Sequence, residues 1–220
     1  MEQLSAVAIF AIPVIIAITL HEAAHGFVAL YFGDDTAKKA GRVSLNPLKH
    51  VDLFGTIILP AILLLSRAGF LFGYAKPVPV NFAALRHPKQ DMIWVAAAGP
   101  GMNIALALIS LALLSVLPRL GATSPLIGAM LASSVQINLV LAVLNLLPIP
   151  PLDGSKVVLG LLPPKLAVPF WRLSRFGFLF ILVIFFIAPL VGIDAFGWLV
   201  ARPVNFLERP FAPLLAVYTR

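Results

Sequence analysis

Four stretches of this chain run for more than twenty residues with hardly a charge in them, and no water-soluble core of this size has room for them all. They cover 4–32, 92–117, 126–147 and 176–199, and each is long enough to cross the hydrocarbon layer, which takes about 20 apolar residues in a helix. The first contains His21, Glu22 and His25 but is otherwise apolar. It is too long for a cleaved signal peptide, and Met1-Glu2-Gln3 gives it no basic start. Composition agrees with a lipid solvent: 60% of the residues are hydrophobic and only 11% charged, where soluble domains carry roughly a quarter charged. The net charge of +7 therefore reads as loop anchors and topology signals, and no nucleic-acid partner is expected. With no cysteine in the chain, disulfides, thiolate metal ligands and a cysteine nucleophile are excluded.

A fifth apolar segment, 53–72, is less regular. It holds Pro60, Ser66, Arg67 and Gly69 and leads into Lys76-Pro77-Val78-Pro79-Val80. If it crossed the membrane fully, the 16 basic residues would divide eight and eight between the two sides. If it dips in over about 53–80 and returns, 12 of the 16 share one face, which the positive-inside rule makes cytoplasmic. Irregular backbone at membrane depth survives only against protein or a water-filled cavity, so a re-entrant segment is expected to line a site. The expected fold is an all-α polytopic membrane protein, a single domain over 1–220. It has a three-helix core, a re-entrant segment and an additional C-terminal transmembrane helix, with an interfacial tail from Ala201.

The chemistry concentrates in His21-Glu22-Ala23-Ala24-His25. Two histidines at i and i+4 share a helical face and can reach one metal ion, and the intervening Glu22 can take a proton there without being a ligand. Ionisable groups at bilayer depth cost a few kcal/mol each and persist where they are paired or functional. A catalytic zinc ordinarily takes a third protein ligand. His50 and His87 sit in basic loops and read as interfacial residues. Asp153 follows Pro148, Pro150 and Pro151 at the end of the third span and precedes Gly154. It either completes the metal set or N-caps a short helix over 155–161. His21 lies toward the C-terminal end of the first span, so the two can meet only if spans one and three run in parallel. The re-entrant arrangement gives that.

Together, the His21–His25 motif, Gly99-Pro100-Gly101-Met102-Asn103 and the run from Asn145 through Pro148, Pro150 and Pro151 to Asp153-Gly154 resemble the site-2 protease family of intramembrane zinc metalloproteases. The resemblance spans roughly residues 4–160. It implies Zn2+ on His21, His25 and Asp153, Glu22 as catalytic base, and Asn145 holding the substrate or the developing oxyanion. Gly99 matches the motif as a helix-packing residue, and Asn103 either packs with it or contacts substrate. The 118–125 turn leaves no room for the peptide-binding domain of some relatives, so a minimal form is expected.

The implied activity is hydrolysis of peptide bonds within or near the transmembrane segments of single-span, membrane-anchored proteins. It would take place in a prokaryotic plasma membrane, with the site toward the cytoplasm. The region from Leu53 to Val80, including Gly69 and Gly73, is expected to hold an unwound substrate as an extended strand. A transporter or metal-binding channel would instead spread its ionisable residues along a route, and a silent scaffold would keep its function without Glu22.

Overall fold

The computed structural model describes residues 2–58, 62, 76–121 and 124–218. Helix α1 spans Glu2–Tyr31, α2 Pro88–Val116 and α3 Pro125–Leu146. Both α2 and α3 start on a proline, which is preset for the first helical turn and lacks only an N–H the helix would not use. Helix α3 stops where Pro148, Pro150 and Pro151 follow, and the Pro150–Pro151 peptide is cis. Helix α4, Asp153–Leu161, comes next, and a long helical run, α5, covers Pro164–Val191. Helices α1, α2, α3 and α5 each contain a stretch long and apolar enough to cross a membrane, and among the described residues there is no strand. The protein is an all-α integral membrane protein.

Helix α5 differs from the expected span over 176–199. It begins at Pro164 and ends at Val191, where Gly192 turns the chain out of the helix with φ at +83°. Lys165, Arg172 and Arg175 lie on exposed positions of its first turns, so their charges do not interrupt it. The expected interfacial tail packs in part against the bundle. Val200 and Val204 are buried in one cluster with Ala132 and Val135 of α3 and Ala107 of α2.

Four hydrogen-bonded pairs fix the topology. His21 meets Asn103 and His25 meets Val95, so α1 and α2 are antiparallel. Asn103 meets Asn138 and Ser110 meets Ser134, so α2 and α3 are antiparallel and α1 runs parallel to α3. Alanines 17, 29, 107, 132 and 142 are all buried. Where lipid is as apolar as leucine, helices associate through close backbone approach and buried polar contacts, and small residues permit both. Many large side chains face outward: Phe10, Ile16, Trp94, Leu108 and Phe178 are all exposed. Only 6% of the most apolar part of α5 is buried, against 33% for each of the other three, so it docks peripherally on the bundle.

The chain leaves α1 and rejoins α2 at the same end of the bundle. Arg86 N donates to Phe32 O at 2.9 Å, and Asn81 N donates to Asp34 Oδ2 at 2.7 Å. Residues 32–34 and 81–86 thus lie side by side. Most of the expected re-entrant segment, including Gly69 and Gly73, lies outside the described residues. Residues 76–81 form an extended strap, neither helix nor strand. It is pinned by Lys76 N to His50 O at 3.0 Å, by the Arg42 guanidinium on Lys76 O, and by the Asp34–Asn81 bond.

Candidate metal centre

The site forms where the C-terminal third of α1, the N-terminal half of α2 and the start of α4 meet. His21 and His25, one turn apart on α1, are buried with 7% and 8% exposure, and Asp153, the first residue of α4, with 6%. His21 Nε2 lies 3.1 Å from His25 Nε2. Asp153 Oδ2 lies 3.2 Å from the first and 3.1 Å from the second.

The other ring nitrogens show why these three atoms need a cation. His21 Nδ1 donates to Asn103 Oδ1 at 2.6 Å, and His25 Nδ1 donates to the Val95 carbonyl at 2.7 Å. With Nδ1 carrying the proton, each neutral imidazole presents an unprotonated Nε2, and the third atom is a carboxylate oxygen. Three lone pairs facing one another in a buried pocket repel unless a positive ion sits among them. Tetrahedral zinc with bonds of about 2.0–2.1 Å sets its ligand atoms roughly 3.3 Å apart. The donor set, its spacing and the second hydrogen bond on each histidine all fit zinc.

Two glycines make this approach possible. A Cβ at Gly99 would lie 2.5 Å from His21 Nε2 and would also run into the His25 ring, whereas Gly101 faces open space. The packing role expected of Gly99 is thus specific to the metal-binding rings. Gly154 backs directly onto the carbonyls of Leu146 and Leu147, so a side chain there would push α4 off the end of α3 and take Asp153 with it. Asp153 opens α4, but the expected alternative of a plain N-cap does not hold: the N-cap position is Leu152.

A cavity of about 320 Å³ opens beside the three ligands, and Glu22, Asn145, Lys156 and the strap residues Pro77 and Val78 line it. Glu22 Oε2 accepts the Val78 N–H at 2.7 Å. Asn145 faces the same cavity while its Nδ2 donates to Leu141 O at 3.0 Å. The substrate contact considered for Asn103 does not fit its position. Its side chain is fully enclosed and spent on His21 and on Asn138, to which its Nδ2 donates at 2.9 Å. Asn103 therefore fixes the tautomer of His21. Nor does His50 lie at an interface; it is 2% exposed and donates from Nε2 to Ser44 O at 2.8 Å. His87 occupies the N-cap position of α2 without a side-chain capping bond and is exposed.

Two residues of the site carry no signal in the sequence alone. Asn138 looks like one more polar residue in an apolar span until Asn103 is seen against it. Lys156 reads only as one of the basic residues, although its place three positions after Asp153 on a helix puts the two on one face.

No protein-family model matches the chain, and no solved structure matches it. Among curated proteins the chain is 41% identical over 184 residues to YwhC of Bacillus subtilis (strain 168), whose name assigns it to the zinc metalloproteases. That match covers 81% of this chain and 80% of YwhC. It is 30% identical over 184 residues to Rip2 of Mycobacterium tuberculosis (strain ATCC 25618 / H37Rv), similarly named, covering 84% of this chain and 67% of Rip2. To Rip2 of Mycolicibacterium smegmatis it is 32% identical over 171 residues, covering 77% and 63%.

Proposed function

This chain belongs to the zinc metalloprotease family represented by YwhC and Rip2, and from that premise we propose that it is an intramembrane endopeptidase of the site-2 protease type. Its substrates are single-span, membrane-anchored proteins, cut within or near the span. The observation that carries this reading is the convergence of two imidazole nitrogens and one carboxylate oxygen inside a bundle of membrane helices, with Glu22 on the same cavity.

Zinc bound at this centre supplies a Lewis acid for the scissile carbonyl and brings water within reach of deprotonation near neutral pH. The chain's own residues do the rest. His21, His25 and Asp153 hold the ion. Glu22, kept in place through one oxygen by Val78 N–H, accepts a proton with the other and hands it to the leaving amine. Asn145, with one amide hydrogen left after its bond to Leu141 O, faces the reacting carbonyl. His21, His25 and Asp153 are buried, so the charges among them act through less water than on a surface.

The metal end of the bundle carries Lys38, Lys39, Arg42, Lys49, Lys76, Arg86, Lys89 and the basic residues of α4 and α5, which supports a cytoplasmic site in a prokaryotic plasma membrane. A substrate helix must unwind to enter, since its carbonyls are otherwise hydrogen-bonded internally. A transporter is less well supported. The polar residues leading away from the ligands, Asn103, Asn138, Ser134 and Ser110, carry no charge and are bonded to one another.

The decisive experiment incubates the purified full chain with tagged single-span proteins bearing a small or helix-breaking residue near the cytoplasmic end of the span. Cleavage should require zinc and stop with a chelator. Glu22→Gln should lower turnover by about 10²–10⁴-fold while keeping zinc content and fold. Cleavage that survives both treatments would overturn the proposal.

A further inference from the structure

The two oxygens of Asp153 have separate tasks. Oδ2 faces the imidazole nitrogens of His21 and His25. Oδ1 accepts a hydrogen bond from Lys156 Nζ at 2.9 Å. Lys156 is half-exposed, with 38% of its side chain accessible, and it lines the catalytic cavity. From this division of labour we infer that Lys156 is a positioning residue that holds Asp153 to single-oxygen coordination and so keeps a position on the metal open. The inference rests on the metalloprotease reading of the same site.

The physical argument starts from what a carboxylate can do. Beside a divalent cation it binds through one oxygen or through both. With two imidazoles, one carboxylate oxygen and one solvent ligand the ion would be four-coordinate. A second bond from Asp153 would make it five-coordinate and fill the position that a catalytic zinc keeps for a substrate oxygen. An ammonium group on Oδ1 competes with the metal for that oxygen through a charge-assisted hydrogen bond. The helix enforces the geometry: Lys156 lies three residues after Asp153 in α4, and the close approach at Gly154 holds that turn against the end of α3. A bare surface ion pair at this spacing would contribute little and would leave the metal unaffected.

The test replaces zinc with Co2+ in the purified full chain and records the visible absorption, whose intensity reports coordination number. The wild type should show the strong absorption of a four-coordinate ion. In Lys156→Met, Oδ1 is released, and the absorption should fall several-fold toward that of a five-coordinate ion. Lys156→Arg restores a donor and should keep the wild-type spectrum, as should Lys165→Met, which removes a basic residue from the same end of the bundle. An unchanged spectrum in Lys156→Met overturns the inference, and so does loss of cobalt from a variant that melts like the wild type. If Lys156→Met does not fold, Lys156→Leu, which also lacks a donor, decides by the same criteria. A wild-type chain that binds no cobalt would instead refute the metalloprotease reading, so the two failures are distinguishable.

Discussion

A methyl group added at position 99 would sit 2.5 Å from His21 Nε2, closer than any real side chain tolerates. Gly99→Ala should therefore displace the imidazoles and lower zinc affinity by about 10-fold or more, the scale on which disturbed ligand support acts. A chelator-competition titration would check this, with unchanged helix content as the control. Asn103→Leu should act similarly by a different route. It strips the His21 Nδ1–H of its acceptor, and a buried donor left unpaired costs about 1–3 kcal/mol. At this scale the sequence was readable in part. The i, i+4 histidines and the intervening Glu22 announce a metal site because helical geometry alone brings them together. The partners of Asn103 and the burial of His50 were not readable, because they depend on which residues of other helices lie opposite.

Between elements, the connection that matters most is the strap of residues 76–81. Asp34 anchors it by accepting N–H bonds from Asn81 and Thr36 and the Thr36 hydroxyl. Burial works to raise the Asp34 carboxyl pKa, but the hydrogen bonds from Thr36 and Asn81 and the Lys39 charge outweigh it and hold the group below its ordinary value. Its stabilising contribution is thus complete above the ordinary carboxylate value of about 3.9 and is lost as the pH falls through the lower folded one. Asp34→Asn should melt at a lower temperature than wild type at pH 7, and the gap should narrow in acid. Thermal melts from pH 3 to 7 would show it, and a constant gap would count against the anchor. The helices themselves were legible from their apolar length. The limits of α5 were not, since exposed Lys165, Arg172 and Arg175 resemble a loop until the helix is seen to carry them on its outer face.

At the scale of the molecule, parallel α1 and α3 put the metal ligands and most basic residues at one end, while Tyr218 packs on Gly128 at the opposite end. Because the chain has no cysteine, single cysteines can report its orientation cleanly. Cysteine at Lys39 or Lys165 should react with a membrane-impermeant maleimide only in inverted vesicles, and cysteine at Arg119 only in right-side-out cells. The reverse pattern would place the metal outside. The parallel course of α1 and α3 was foreseeable, because the charge count and the closure of the ligand set each select it.

The strap carries a consequence for what the cavity can accept. Pro77 and Pro79 have no amide hydrogen, and the one on Val78 is engaged by Glu22, so from Pro77 to Pro79 the backbone can offer a guest only oxygen. A polypeptide threaded alongside would have to bring the hydrogens itself. Placing proline, or an N-methylated residue, at successive positions of a client should therefore reveal the register in which it is gripped, as a short gap in an otherwise permissive scan.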